Sequence, residues 1–286
     1  MSTSQSNVSL SFEVFPPNSH VATKKLFGTL QELQDLQPHF ISVTCSNRES
    51  RIEETTVRIA DYLQNDLRIP SIAHLPASYL SKEQVTAIIS KIEKAGIKRV
   101  LALRGDYLDG VEAKTDFVYA NDLVHYIKTL APNLEIFGAC YPEVHPDSEN
   151  RVTDIKHLKK KVDAGCNQLI SQLFFDNNMF YQFKEGCELA EINVPILAGI
   201  MPIVNRQQAL RLIKVSDSHL PKKFLAILEK YEHNPIALRD AGLAYAIDQI
   251  VDLVTQGVAG IHLYTMNQAE TARHIHGATE SLFLNN

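Results

Sequence analysis

The stretch Lys82–Gly105, KEQVTAIISKIEKAGIKRVLALRG, decides the fold. Val85, Ile88, Ile89 and Ile92 fall at i, i+3, i+4 and i+7, one face of a 3.6-residue period, so the spacing predicts an amphipathic helix over Lys82–Ala95. Ala95-Gly96 ends it with a glycine suited to the left-handed position. Arg99–Arg104 follows, and its near-continuous apolar run Val100-Leu101-Ala102-Leu103 is what a strand covered on both faces requires. The same order recurs. Asp154–Ala164 sets Ile155, Leu158 and Val162 on one face, stops at Ala164-Gly165 and leads into Gln168–Phe174, and Gln256-Gly257 precedes Gly260–Thr265.

Eight strand candidates emerge: Val8–Phe15, Phe40–Cys45, Ser71–Leu75, Arg99–Arg104, Glu135–Tyr141, Gln168–Phe174, Pro195–Met201 and Gly260–Thr265. Strict alternation of strand and helix implies a parallel sheet with right-handed crossovers. Eight such units in 286 residues fit a closed (β/α)8 TIM barrel, an α/β fold. The competitor is an open doubly wound sheet, which loses support because no GxGxxG follows the first strand. The seventh and eighth strands are separated by Arg206–Val215, a helical stretch near Lys222–Tyr231 and a long helix Pro235–Thr255, so an extra helix is expected between them. No linker or low-complexity segment breaks the chain, and residues 1–286 are read as a single domain with residues 1–7 as a disordered N-terminal extension.

Composition limits the function. Hydrophobic residues make up 45% and charged residues 21%, and the net charge of −5 argues against a general nucleic-acid binder. No apolar run reaches the roughly 18 residues of a membrane span, and the first residues lack a signal-peptide pattern, so a cytoplasmic protein is expected. Cys45, Cys140, Cys166 and Cys187 form no CxxC pair and read as free thiols.

In a barrel of this kind, chemistry sits at the carboxyl ends of the strands. Reading polar residues there yields Glu13, Thr44, His74, Arg104 with Asp106, Tyr141 with Glu143 and His145, Gln172 with Asp176, and Tyr264 with Asn267. Glu13 lies in Ser11-Phe12-Glu13-Val14-Phe15-Pro16-Pro17, an acid inside an apolar run that two prolines end. A buried acid is either paired or kept for proton chemistry, and Arg104 is the candidate structural partner. Apolar neighbours such as Phe12 and Phe15 would favour its proton-carrying form. Gln172 is an amide within an apolar strand candidate and needs polar partners. Lys159, Lys160 and Lys161 are either a solvated face or an anion site. Ser11 and Ser42 lack a nucleophile-elbow context. Glu13, His74, Asp106 and His145 could in principle hold a metal, but no HxH or HExxH pair is present and no metal is expected.

Six motifs in order, Phe12-Glu13-Val14-Phe15-Pro16-Pro17, Ala73-His74-Leu75, Leu101-Ala102-Leu103-Arg104-Gly105-Asp106, Tyr141-Pro142-Glu143-Val144-His145-Pro146, Lys161-Val162-Asp163-Ala164-Gly165 and Gln172-Leu173-Phe174-Phe175-Asp176, resemble the bacterial flavin-dependent methylenetetrahydrofolate reductases. The resemblance runs from about Ser9 to Ala269. It implies FAD at the strand ends and a ping-pong reaction. NADH or NADPH reduces the flavin, then methylenetetrahydrofolate takes the same site and is reduced to methyltetrahydrofolate, which feeds methionine synthesis. Glu13 matches the family's general acid. Asp106 matches the acid that tunes the flavin and binds the folate pterin, and Gln172 matches a folate contact. Thr44, His74, Leu103, Arg104, Gly105, Asp106, Tyr119, Ala120, Tyr141, His145, Asp154 and Lys161 match the cofactor-binding set. Lys161 and Arg104 would meet the pyrophosphate. Relatives of this type form homo-oligomers. The other readings are a metal-dependent barrel lyase or aldolase using Glu13, Asp106 and His145, and a non-catalytic flavin- or folate-binding protein.

Three departures from the family pattern stand out. After Thr44 the chain reads Cys45-Ser46-Asn47-Arg48, where the pattern has an aromatic residue followed by Gly-Ala. Gln268, in Tyr264-Thr265-Met266-Asn267-Gln268, replaces an arginine that meets the folate tail. Leu228 falls where some members carry phenylalanine, as an apolar wall of the substrate position.

Overall fold

Eight parallel strands close into a barrel in sequence order, each hydrogen-bonded to the next and the last to the first, in a computed structural model that describes residues 8–17, 20–45, 52–105, 114, 116–209 and 220–283. The strands are β1 (Ser9–Val14), β2 (Ile41–Val43), β3 (Ser71–Pro76), β4 (Arg99–Leu103), β5 (Glu135–Cys140), β6 (Gln168–Ser171), β7 (Ile196–Ile200) and β8 (Gly260–Tyr264). All eight expected strands are present, most of them shorter than the apolar runs that announced them. The expected N-terminal extension, residues 1–7, lies outside the described residues.

The helices are α1 (His20–Gln34), α2 (Arg58–Asp61), α3 (Lys82–Lys94), α4 (Ala120–Leu130), α5 (Arg151–Asp163), α6 (Asn177–Leu189), α7 (Lys222–Lys230), α8 (Pro235–Thr255) and α9 (Ala269–Thr279). Helices α7 and α8 both lie between β7 and β8, which supplies the expected extra helix, while residues 210–215 of the Arg206–Val215 candidate lie outside the described residues. Helix α3 starts on a capping box between Ser81 and Gln84 and buries Val85, Ile88, Ile89 and Ile92. Gly96, Gly165 and Gly257 take positive φ of 70°, 123° and 74°, the left-handed stops that the sequence announced. Helix α5 begins earlier than expected, at Arg151, because the Asn150 side chain accepts from Thr153 N.

Two apolar layers follow from the alternation of strand side chains. Phe12 and Val14, with the outward residues of the other strands, pack against the helices in the main core. Inside the barrel Phe40, Ile72, Leu101, Phe137, Ile170 and Leu197 form a separate plug. Glu13 is on the opposite face of β1 from Phe12, so it points along the barrel interior toward the open end.

Cys140, Cys166 and Cys187 are buried free thiols, and Cys45 is half-buried. Among the described residues no helix is long and apolar enough to cross a membrane.

Candidate active site

Glu13 is the centre of the barrel mouth, and its surroundings differ from the expected ones. Phe12 is fully buried but faces the helices, and Phe15 is 39% exposed beyond the strand end. The period-2 alternation of the strand separates Phe12 from the carboxylate, and Phe15 lies past the strand end, partly in solvent. Two histidines stand there instead. His74 Nε2 is 3.8 Å from Glu13 Oε2 and His262 Nε2 is 3.7 Å from the same oxygen. Arg104, the alternative partner, turns away to Asp147, with Nη2 2.5 Å from Oδ2.

The backbone around Glu13 is braced by the loop after β8. Thr265 Oγ1 donates to the Glu13 carbonyl at 2.7 Å. The Asn267 amide accepts from Phe15 N at 3.0 Å and donates to Phe15 O at 2.9 Å. Met266 and Asn267 both adopt positive φ, 52° and 56°, to make that double contact. The chain leaving β1 toward Pro16 and Pro17 is therefore held from β8, its neighbour in the closed sheet.

His74, on β3, is almost fully buried, and burial pushes its imidazole down to about 4 even though Glu13 pulls the other way. It is neutral at pH 7, and its Nε2 finds no hydrogen-bond partner among the described residues. Tyr264, at the end of β8, donates to the Ser171 carbonyl at 2.7 Å across the barrel, and burial pushes its phenol up. Gly199 on β7 leaves room for that ring, since a Cβ there would stand 2.2 Å from Ser171 O and 2.8 Å from the Tyr264 hydroxyl.

The β4–β5 side of the mouth carries the basic and aromatic groups. Leu103 ends β4 and packs onto the interior plug. Arg104 follows, its carbonyl accepting from both Ser78 N and Ser78 Oγ at 2.8 Å, and Gly105 turns the chain with φ 89°. Tyr141 sits just past β5 with its ring edge-on to His145, centroids 4.4 Å apart. The His145 imidazole is lowered by burial and by Arg104, and its Nδ1 accepts from Asp147 N. Asp154, in the first turn of α5, accepts from His145 N and Ser148 Oγ and so ties the loop to the helix. Lys161 runs its stem between α5 and β5, over the missing side chain of Gly138, and donates to the Ala139 carbonyl at 2.6 Å. Burial lowers its ammonium.

Other expected residues are scattered around this mouth. Thr44 follows β2, donating its N–H to Val14 O and accepting from Thr56 Oγ1 at its carbonyl. Tyr119 is the exposed N-cap of α4 and Ala120 its buried first residue. Gln172 corrects the reading of an amide inside an apolar strand. β6 stops at Ser171, and Gln172 is an exposed loop residue whose Oε1 accepts from Leu173 N. The apolar run that suggested a longer strand, Leu173–Phe175, packs instead against other groups, including α7 and α8 for Leu173 and Phe175. Leu228 on α7 is half-buried in that same cluster, which reaches the mouth at Tyr264. Gln268 is the exposed N-cap of α9 and accepts from Thr271 Oγ1. Asp106 and the Ser46–Arg48 departure lie outside the described residues.

Sequence reading passed over His262, weighed Ser11 and Ser42 only as nucleophiles, and passed over Asp147. The first three form a buried polar group beneath Glu13, with the His262 ring stacked on Phe40. Their signal was the period-2 row Gly260, His262, Tyr264, which faces inward together with Ser11 and Glu13. Among the described residues no cluster of His, Cys, Asp and Glu is arranged to hold a metal ion.

The mouth as built offers a carboxyl group beside two imidazoles, a guanidinium at a loop rim and aromatic side walls. It can move a proton and hold an anionic, ring-bearing ligand. Comparison with known proteins agrees with that chemistry. The methylenetetrahydrofolate reductase family profile matches residues 1–280. A 5,10-methylenetetrahydrofolate reductase of Buchnera aphidicola is 35% identical over 264 residues, 92% of this chain and 88% of the relative. The Escherichia coli enzyme of the same name is 31% identical, over 93% and 88%. Methylenetetrahydrofolate reductase (NADH) 1 of Arabidopsis thaliana is 33% identical over 94% of this chain, which spans only 48% of that longer protein. A solved Clostridium thermocellum protein, described as binding two copies of 5-methyl-5,6,7,8-tetrahydrofolic acid, superposes with a TM-score of 0.68 over 98% and 96% of the two chains. At 13% identity it establishes a shared fold.

Proposed function

The chain belongs to the methylenetetrahydrofolate reductase family, and from that premise we propose that it reduces methylenetetrahydrofolate to methyltetrahydrofolate, with FAD as cofactor, NADH or NADPH as electron donor, and Glu13 as general acid. The placement of Glu13 carries this reading. It is a carboxyl group at the end of β1, 20% exposed, turned into the mouth and facing two histidines.

The residues present suit a flavin dinucleotide. His74 Nε2 is a buried polar atom that finds no partner among the described residues. Arg104 holds a carboxylate, that of Asp147, where an anionic group can be bound. Tyr141, His145 and Tyr119 add ring surface at the same rim, and Lys161 brings a cation to the end of β5. When bound, FAD would supply hydride transfer, accepting from the nicotinamide and giving to the folate in ping-pong order.

The protein's own part is the proton. Opening the methylene bridge leaves a folate nitrogen that needs one, and Glu13 is the acid at the mouth. In that step the Glu13 O–H bond breaks, an N–H bond forms on folate, and a carboxylate remains. Thr265 and Asn267 fix the backbone that aims it. Asp106 would accept hydrogen bonds from the pterin amino groups, Gln172 would bind folate from the β6 loop, and Leu228 and Gln268 would border the substrate and its tail.

Anaerobic stopped-flow of the flavin absorbance separates the two half-reactions. Glu13→Gln should still be reduced by NAD(P)H but lose on the order of 10²- to 10⁴-fold in reoxidation by methylenetetrahydrofolate. Equal loss in both half-reactions would remove Glu13 from the acid role.

A further inference from the structure

Past the end of β6 the chain runs through Gln172-Leu173-Phe174-Phe175-Asp176 before α6 begins at Asn177. The β6–β7 register stops at Ile170 and Leu197, so the carbonyls of Phe174 and Phe175 lie beyond it. Helix α8 supplies donors to them from one face, where Tyr245, Gln249 and Asp252 stand at i, i+4 and i+7. Tyr245 Oη donates to Phe175 O at 2.5 Å. Gln249 Nε2 donates to Phe174 O at 3.3 Å and to Asn177 Oδ1 at 3.2 Å. Asn177 Nδ2 donates in return to Gln249 O at 3.1 Å and to Asp252 Oδ2 at 2.6 Å, and the same carboxylate oxygen accepts from Tyr181 Oη at 2.7 Å.

Tyr245 and Gln249 are buried, and a buried hydroxyl or amide costs free energy unless it is paired. Here the pairing reaches the mouth. Phe174 stacks on Phe180 of α6, centroids 5.1 Å apart, while Phe175 stacks on Phe224 of α7 at 4.8 Å. Leu173 and Phe175 belong to the cluster that also holds Leu228 and Tyr264. The Tyr245 hydroxyl therefore grips the β6 loop where it meets the α7 wall. Gln172 rides on that loop. Its N–H is tied to Cys140 O at 2.7 Å on the β5 side, and its exposed side chain accepts from Leu173 N. Cys140 is one anchor of the loop, and Tyr245 is the other.

We propose that Tyr245 is a positioning residue for folate: through its hydrogen bond to Phe175 O it sets the β6 loop so that Gln172 meets the substrate. This rests on Gln172 being a folate contact. Tyr245→Phe is the informative change, because it removes the hydroxyl and keeps the ring, which lies 5.1 Å from Phe224. The apolar wall of α7 keeps its packing, and the loop loses one anchor.

The test is a double-mutant cycle on the flavin-loaded protein. In Tyr245→Phe the methylenetetrahydrofolate concentration that half-saturates flavin reoxidation should rise about 3- to 10-fold, the worth of one hydrogen bond to a buried carbonyl. The calorimetric Kd of methyltetrahydrofolate should rise by the same factor. The nicotinamide half-reaction should stay within about twofold of wild type. Gln172→Ala should weaken folate by at least as much, and adding Tyr245→Phe to it should cost little more, because no side chain is left to position. Factors that multiply in the double variant, or equal weakening of both half-reactions, overturn the proposal, since the hydroxyl then serves stability alone. Should Tyr245→Phe fail to fold, Gln249→Met, which removes the donor to Phe174 O, takes its place in the cycle with the same expected outcome. The premise is tested separately. If Tyr245→Phe leaves folate unchanged while Gln172→Ala weakens it, the positioning role fails and the Gln172 contact stands. If Gln172→Ala itself leaves folate unchanged, the contact fails and the proposal with it.

Discussion

His74 turns burial into a measurable pH dependence of stability. Its imidazole is displaced from an ordinary 6.5 to about 4, first by burial, opposed by Glu13 and reinforced by His262. Between those two values the unfolded chain takes up a proton that the folded chain refuses. Falling pH therefore favours unfolding across that window, and below about 4 both states carry the proton and no more is lost. At 1.36 kcal/mol per pH unit the full contribution is about 3 kcal/mol, present above pH 6.5 and gone near pH 4. Replacing His74 with glutamine keeps a polar side chain of similar length and removes the titration. Urea denaturation of both proteins, in the same cofactor state, at several pH values from 7.5 to 4 would show it. The wild type should lose about 3 kcal/mol more than His74→Gln over that range. Parallel curves, or a steeper fall in the variant, would mean that the ring is accessible to protons in the folded barrel and that its burial does not govern it.

Two further outcomes follow from the mouth. Gly199→Ala would put a methyl group 2.2 Å from the Ser171 carbonyl and force Tyr264 off its hydrogen bond, so a destabilisation of roughly 2–4 kcal/mol is expected, read as a lowered thermal midpoint. An unchanged midpoint would mean β6 and β7 can separate at that level without cost. Asp147→Ala releases Arg104 from its ion pair, whose exposed side limits it to about 1 kcal/mol, so calorimetry should show FAD binding tightened by at most about 5-fold, more at low salt than at high. Weaker binding would make Asp147 part of the ligand cradle rather than a competitor for the guanidinium.

The barrel was legible because its evidence is local. Each strand is an apolar run, each expected glycine stop falls a few residues before one, and α3 carries its helical face and capping residues within a single stretch. The candidate site was legible by position, since a polar residue just past an apolar run is at the mouth once the barrel is accepted. Side-chain pairing was not legible, because it joins residues far apart in the chain: Ser11 meets His262 across 251 positions, and the Arg104 guanidinium finds Asp147 on the next loop. Gln172 was misread for a different reason, an apolar run that continues past the strand because its later residues serve another core.

The interior rows of the barrel sharpen this difference. Ile72, Leu101, Phe137, Ile170 and Leu197 on β3 to β7, with Phe40 just before β2, are the large apolar groups that a plug requires. The inward positions of β1 and β8 break that rule with Ser11, Glu13, His262 and Tyr264, and Ser42 joins them from β2. Each of these polar groups carries a desolvation cost that an aliphatic residue in the same place would avoid. A barrel selected for stability alone would extend the plug across the β8–β1 seam. It is replaced there by hydroxyls and an imidazole directly beneath the acid, and the buried His74 imidazole faces the same carboxyl group from β3, so the cost is concentrated around Glu13.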